Sequence, residues 1–149
     1  MTDFQVRYDE QKGYYDIPFD SNGNLILENS LDNAINMSLF CDARADESEV
    51  QVPELRRGWW GNSLNADGHE IGSKLWLLKQ RRERQKTQND TKVYINNCLR
   101  WLIDGGIVSK IEVSTAFQSN NSLTANIKFT AIDNTVEKRT YNLFLNTAG

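Results

Sequence analysis

The chain has 149 residues, a formal net charge of −3 and 39% hydrophobic residues. That length fits one domain able to bury roughly 70% of the surface its unfolded form exposes. No apolar run reaches membrane-spanning length, and the overall acidity argues against a general nucleic-acid binder.

Phe4, Val6 and Tyr8 alternate with polar residues, and Tyr14 to Phe19 is a second extended, aromatic piece in which Pro18 argues for an edge or a loop. Residues 1–24 are therefore expected to form an extended N-terminal arm. Asp20-Ser21-Asn22-Gly23-Asn24 is a turn signal leading into Leu25-Ile26-Leu27. Leu31, Ala34, Ile35, Ser38 and Leu39 recur at helical spacing behind the capping candidates Asn29 and Ser30, which predicts a helix over 30–42. Residues 43–56 are acidic, contain Pro53 and read as a loop.

A second helix is predicted from Ser73 through Leu75, Leu78 and the charged stretch Lys79 to Lys86. Gln88-Asn89-Asp90-Thr91 should interrupt it and cap a third helix, in which Tyr94, Cys98 and Trp101 share one stripe and Ile95, Leu99 and Leu102 the next. Asp104-Gly105-Gly106 ends that helix. From Ile107 the period switches to two. Ile111, Val113, Thr115 and Phe117, then Leu123 to Ala131, then Tyr141, Leu143 and Leu145 each present one apolar face, with turns at 118–121 and 133–135. The fold class expected is α+β: about three helices packed on a C-terminal three-stranded antiparallel meander, in a single domain over residues 1–149.

Arg56-Arg57-Gly58-Trp59-Trp60-Gly61 and Gly72-Ser73-Lys74-Leu75-Trp76 hold three of the four tryptophans between glycines. Tryptophan and arginine are enriched where interfaces bind tightly, so Arg56, Arg57, Trp59, Trp60 and Trp76 are candidate partner-facing anchors; the alternative is internal packing of the indoles. The last strand contains no proline and has only Lys138 and Arg139 as gatekeepers. Thr140, Tyr141, Asn142 and Phe144 are therefore candidates for an edge that accepts another strand.

Charge is unevenly spread. Residues 1–55 hold twelve Asp and Glu against three Lys and Arg, and residues 56–110 hold five against eleven. Opposed patches suit head-to-tail assembly or neighbours of opposite sign, unless position in sequence does not map to position on the surface. The Lys79 to Lys86 stretch could track phosphates, but Glu83 interrupts it and a solvated face is the plainer reading. His69, the only histidine, lies in a polar loop with Asp67 and Glu70, a poor ligand set, so no metal and no cofactor is expected. Cys41 and Cys98 read as buried thiols of a chain kept in a reducing cytoplasm. No apolar leader is evident in Met1 to Gln5, and a disulfide or a metal site is the alternative.

The order of elements and the segments Leu31 to Ala45, Arg57-Gly58-Trp59-Trp60-Gly61, Gly72 to Leu78 and Leu99-Arg100-Trp101-Leu102-Ile103-Asp104-Gly105 together resemble the phage Mu-type baseplate protein family. That family is related to the wedge and sheath-initiator proteins of contractile tails that are often labelled lysozyme-like. The resemblance spans residues 25–117. It implies a non-enzymatic structural component of the virion tail baseplate, present in multiple copies, made and assembled in the host cytoplasm. It also implies wedge proteins, the tail tube and hub, and the first sheath ring as partners, with no nucleic acid and no membrane. The broader sheath-initiator family often carries Glu-Pro-Arg after its third helix, where this chain has Asp104-Gly105-Gly106-Ile107, so an arginine-mediated sheath contact is not carried over. The lysozyme-like label raises a peptidoglycan hydrolase as the alternative. Glu70 is its only nameable acid, and Asp67 is too close in sequence to serve as the opposing carboxylate. A nucleic-acid-binding module is the third reading.

Overall fold

The structure is a computed structural model that describes residues 3–5, 7–9, 14–28, 31–80, 83–119 and 122–143. The chain divides into two compact units, Met1–Met37 and Ser38–Gly149. The first contains four short strands: β1 (Asp3–Phe4), β2 (Arg7–Asp9), β3 (Tyr14–Asp16) and β4 (Leu27–Glu28). β1 pairs antiparallel with β4, and β2 with β3. The turn expected at 20–24 is present for the reasons its residues suggest. Gly23 takes a left-handed φ of +80°, its N–H bonds to Asp20 O at 3.0 Å, and Asp20 Oδ1 accepts the N–H groups of Asn22 and Asn24 at 2.8 and 2.9 Å. The Asn24 N–H leads the donors that hold the Asp20 carboxyl below its ordinary range. Val6 lies outside the described residues.

Helix α1 (Asp32–Phe40) begins in the first unit and ends in the second. It is shorter than the predicted 30–42 because residue 73 takes the backbone groups that would extend it. Ser73 N–H donates to Cys41 O at 2.9 Å, Ala43 N–H donates to Ser73 O at 2.9 Å, and the Ser73 hydroxyl donates to Leu39 O at 2.6 Å.

The rest of the second unit pairs helix with sheet. A 3-10 helix, Leu75–Gln80, precedes α2 (Arg84–Cys98), and Leu99 separates α2 from a five-residue turn of helix, α3 (Arg100–Asp104). The predicted break at 88–91 does not exist. Thr87 and Thr91 are buried, and their hydroxyls bond back to Glu83 O and Thr87 O at 2.8 and 2.6 Å, so these polar side chains are satisfied inside one helix instead of capping a new one. Two helices of two turns or more, α1 and α2, therefore stand among the described residues where about three were expected.

The meander is present: β5 (Val108–Phe117), β6 (Leu123–Ala131) and β7 (Val136–Leu143), antiparallel in the order β5-β6-β7. The register aligns Val113 with Ile127 and Ile127 with Arg139, so the alternating residues share the faces the sequence assigns them. The β6–β7 hairpin closes like the first turn, with Asn134 at φ +66° in the place of glycine. Leu145 lies outside the described residues. α2 and α3 pack against β5. The core unites Leu39, Leu78, Ile95, Leu99, Leu102, Leu123, Ala125 and Ile127, each at most 1% exposed. Of the two stripes predicted near α3, Ile95, Leu99 and Leu102 are buried, while Tyr94, Cys98 and Trp101 are half-buried, with the Trp101 indole N–H on Ser38 Oγ at 3.0 Å.

Candidate functional site

Three loop segments, 41–49, 56–62 and 71–76, meet beside the end of α1. The Cys41–Ser73 and Ala43–Ser73 bonds join the first segment to the third, and Ala45 N–H to Arg56 O at 2.9 Å joins it to the second. This crossing has little room for side chains near the backbone. A Cβ on Gly72, whose φ is +123°, would lie 2.9 Å from both Ala43 N and Cys41 O. Gly58 has a φ of +117°, and its Cβ would lie 3.2 Å from Arg44 Cβ. Arg57 takes a left-handed φ of +54° without being glycine, which costs energy that its side-chain contacts must offset.

Those contacts are specific. Arg57 Nη1 donates to Asp42 Oδ2 at 3.0 Å, and its guanidinium carbon stands 4.7 Å from the Trp76 ring centroid. The Trp76 indole N–H donates to Ala43 O at 2.8 Å, fixing the ring on the first segment. Arg56 Nε donates to Ala45 O at 2.6 Å, and its Nη1 reaches Glu47 at 3.3 Å. Lys74 Nζ bridges Asp46 at 3.1 Å and Glu49 at 2.8 Å. Burial alone pulls the Lys74 ammonium down, but the hydrogen bonds and charges of Glu49 and Asp46 outweigh it and hold its pKa above the ordinary value. The hydrogen bond from Lys74 holds Asp46 below its own.

The acidic and basic halves of the sequence thus meet within one chain along this crossing. They do not leave the acidic 42–49 loop and the basic residues 56, 57 and 74 as separate opposed patches.

The tryptophan pair divides. Trp59 is half-buried, with its ring over Gly61, where a Cβ would come within 2.3 Å of the indole. Trp60 is 73% exposed and starts the 3-10 helix Trp60–Leu64, whose last residue, Leu64, is 75% exposed. The Asn62 side chain closes the loop behind it, donating to Ile71 O at 3.0 Å and accepting from Ile71 N–H at 2.8 Å. Arg56, Arg57 and Trp76 are therefore brought together by internal contacts, while Trp60 projects. Leu64 and Leu55 join it as exposed large apolar side chains that the sequence reading did not single out. Their only signal was apolar character without period inside a polar loop.

On β7, Thr140 and Asn142 are exposed on the outer sheet face, and Tyr141 faces inward, edge-on to Phe40 at 5.9 Å between centroids. Phe144 lies outside the described residues. β7 is an edge of its sheet, as is β5.

Reactive groups are not gathered here. Asp67, His69 and Glu70 are all exposed on their loop. Cys41 and Cys98 are free and half-buried; burial raises both thiols, Cys98 to about 12, which keeps them protonated. Among the described residues, no three of His, Cys, Asp and Glu are grouped to hold a metal ion, and no helix is long and apolar enough to cross a membrane.

Known proteins resemble this chain in sequence. The family described as phage protein GP46 matches residues 31–136. The Mu-like prophage FluMu protein gp46 of Haemophilus influenzae is 36% identical over 118 residues, covering 79% of this chain and 81% of that protein. The baseplate protein gp46 of Escherichia phage Mu is 35% identical over 115 residues, covering 76% of each. The matched region contains the loop crossing, both glycine–tryptophan segments, α2, α3, β5 and β6. The chain belongs to the phage GP46 family of Mu-type baseplate proteins.

Proposed function

We propose that the chain is a non-enzymatic structural component of a contractile phage tail baseplate. In this reading the whole chain acts as one baseplate domain with residues 1–24 as its arm. Several copies are built into each virion after synthesis in the host cytoplasm. Trp60, set on the ion-paired crossing that Arg56, Arg57, Trp59 and Trp76 hold rigid, anchors it to wedge proteins around the tail tube and hub. The edge of β7 at Thr140, Tyr141 and Asn142, with Phe144 next after the strand in sequence, pairs with a strand of the first sheath ring and so templates sheath assembly.

The observation that carries the reading is the edge of β7: eight residues, Val136–Leu143, with no proline, paired among the described residues with β6 on one side only. Such an edge offers a row of backbone donors and acceptors that an added strand satisfies. The baseplate name carried by the phage Mu relative supports the location. The exposed placement of Asp67, His69 and Glu70 on one loop supports the absence of turnover, since glycoside hydrolysis needs two opposed carboxyls, one in an apolar setting.

Asn142→Pro tests the proposal, because proline removes a backbone donor and blocks regular pairing. The variant is expected to remain soluble and folded by circular dichroism and to sediment as the wild type does, while tails lose their sheath. Normal contractile tails carrying this variant would overturn strand templating, and clearing of peptidoglycan in a zymogram by the purified protein would overturn the non-enzymatic reading.

A further inference from the structure

The outer face of the meander carries charge that the edge reading does not use. A groove of about 590 Å³ crosses all three strands, and its outward side chains are Glu112, Ser114, Asn126, Lys128, Lys138 and Thr140. Glu112 binds Lys110 at 3.0 Å and Lys128 at 3.2 Å, so one carboxylate serves two ammonium groups. The register then sets Lys138 directly opposite Lys128. Like charges directly opposed across a strand pair are destabilising, and Lys138 has no ion-pair partner among the described residues. The folded chain thus retains a repulsive pair that an anion seated on the face would relieve. Ser114, Asn126, Lys138 and Thr140 are all exposed.

We infer that this cationic face docks the acidic N-terminal unit, Met1–Met37, of a second copy of the chain. Charge complementarity selects that occupant. Residues 1–37 hold seven carboxylates against two cations, a net negative charge that remains although Asp16, Asp20 and Asp32 have contacts within the chain, whereas the acidic loop at 42–49 is ion-paired with Arg56, Arg57 and Lys74. Nucleic acid fits the face less well. Glu112 places a carboxylate on the β5 side of the groove, and the one arginine that lines it, Arg139, is ion-paired with Glu137 and stands over the Phe129 ring. The Asn126 carbonyl accepts the Thr140 hydroxyl at 2.8 Å, which leaves the Asn126 amide N–H groups to donate to a carboxylate between the lysines. The contact uses side chains of the sheet face, not the backbone edge of β7, so it stands independently of sheath templating.

Sedimentation of the purified full-length chain at low and high salt tests the inference, alongside Lys138→Glu and the paired substitution Asp9→Lys with Glu10→Lys. The wild type is expected to self-associate at low salt and to dissociate at high salt. Each variant alone should associate at least tenfold more weakly, and mixing the two should restore association. Lys138→Glu should also raise the thermal midpoint of the isolated chain by about 1–3 °C, because it turns the repulsive pair into an attractive one. That rise separates loss of docking from loss of folding. A wild type that stays monomeric at low salt, a Lys138→Glu variant that associates normally, or a face that retains an oligonucleotide without any self-association would each overturn the inference.

Discussion

Gly72 shows how much one position can carry. It combines a φ of +123° with a Cβ direction closed at 2.9 Å by the backbone of residues 41 and 43, whereas Gly23, at φ +80°, faces open space. Gly23→Ala should cost about 1–2 kcal/mol, the ordinary penalty of a left-handed L-residue. Gly72→Ala should cost more, on the order of 2–4 kcal/mol, because the crossing of the two loops must also part. Urea denaturation of both variants checks the difference, and equal costs would mean that the crossing yields easily. The sequence showed a glycine before Trp76 but not the chain some thirty residues earlier that presses on it. Lys74 was equally unreadable, since its partners Asp46 and Glu49 lie 28 and 25 residues away. Its ion pairs set a pH dependence with a definite sign. Asp46 is depressed, so its contribution is present above the unfolded aspartate pKa of about 3.9 and is lost as pH falls through the lower folded value. Lys74 is raised, so its contribution is present below about pH 10.4 and is lost as pH rises through the folded value. Lys74→Met should therefore flatten the fall of the thermal midpoint below about pH 4 relative to the wild type. An unchanged acid limb would remove Lys74 as its cause.

Among the elements, α2 is the sharpest departure from the pattern of the chain. Gln88-Asn89-Asp90-Thr91 has the composition of a cap, yet it runs through the middle of a 15-residue helix. Polar composition was the misleading signal. What decides the outcome is that Thr87 and Thr91 face inward with bonded hydroxyls and that Gln88 Nε2 reaches Thr115 O on β5 at 3.4 Å. Asn89 is exposed, so Asn89→Pro separates the two descriptions cleanly. In a continuous helix it removes a backbone bond and clashes with the preceding turn, at about 3 kcal/mol, with loss of helical signal in far-ultraviolet circular dichroism. At a cap it would be close to neutral. Over its described residues the meander was legible because period two, two turn signals and three apolar faces all agree, and β-strand alternation leaves little freedom once one face is buried. The helical stretch expected through Leu75 and Leu78 is present as a 3-10 helix, whereas the short 3-10 turns at 47–49, 53–55 and 60–64 carry no period and form where tertiary contacts place them.

For the whole molecule, the −9 and +6 blocks of the sequence suggested opposed surfaces, and the fold instead uses Asp42, Asp46, Glu47 and Glu49 against Arg56, Arg57 and Lys74 to brace one loop crossing. Partly exposed pairs of this kind add little stability singly, but as a network around Gly72 they fix a geometry. Its product is a projecting indole. Trp60 is 73% exposed, with its ring against that of Trp59 at 5.7 Å between centroids, while Trp59 also covers Gly61 and is half-buried. Trp60→Ala should therefore change unfolding free energy by no more than about 0.5 kcal/mol, and Trp59→Ala should cost about 1–3 kcal/mol through lost packing. The functional expectation runs the other way. A buried tryptophan anchor at an interface contributes about 2 kcal/mol or more of binding, so Trp60→Ala should reduce incorporation into tails severely in a complementation assay while the purified protein stays as stable as the wild type. Trp59→Ala should lose incorporation only in proportion to its loss of folding. If Trp60→Ala protein enters tails as well as the wild type does, the projecting indole is surface and not anchor, and the β7 edge must hold the chain in the baseplate without it.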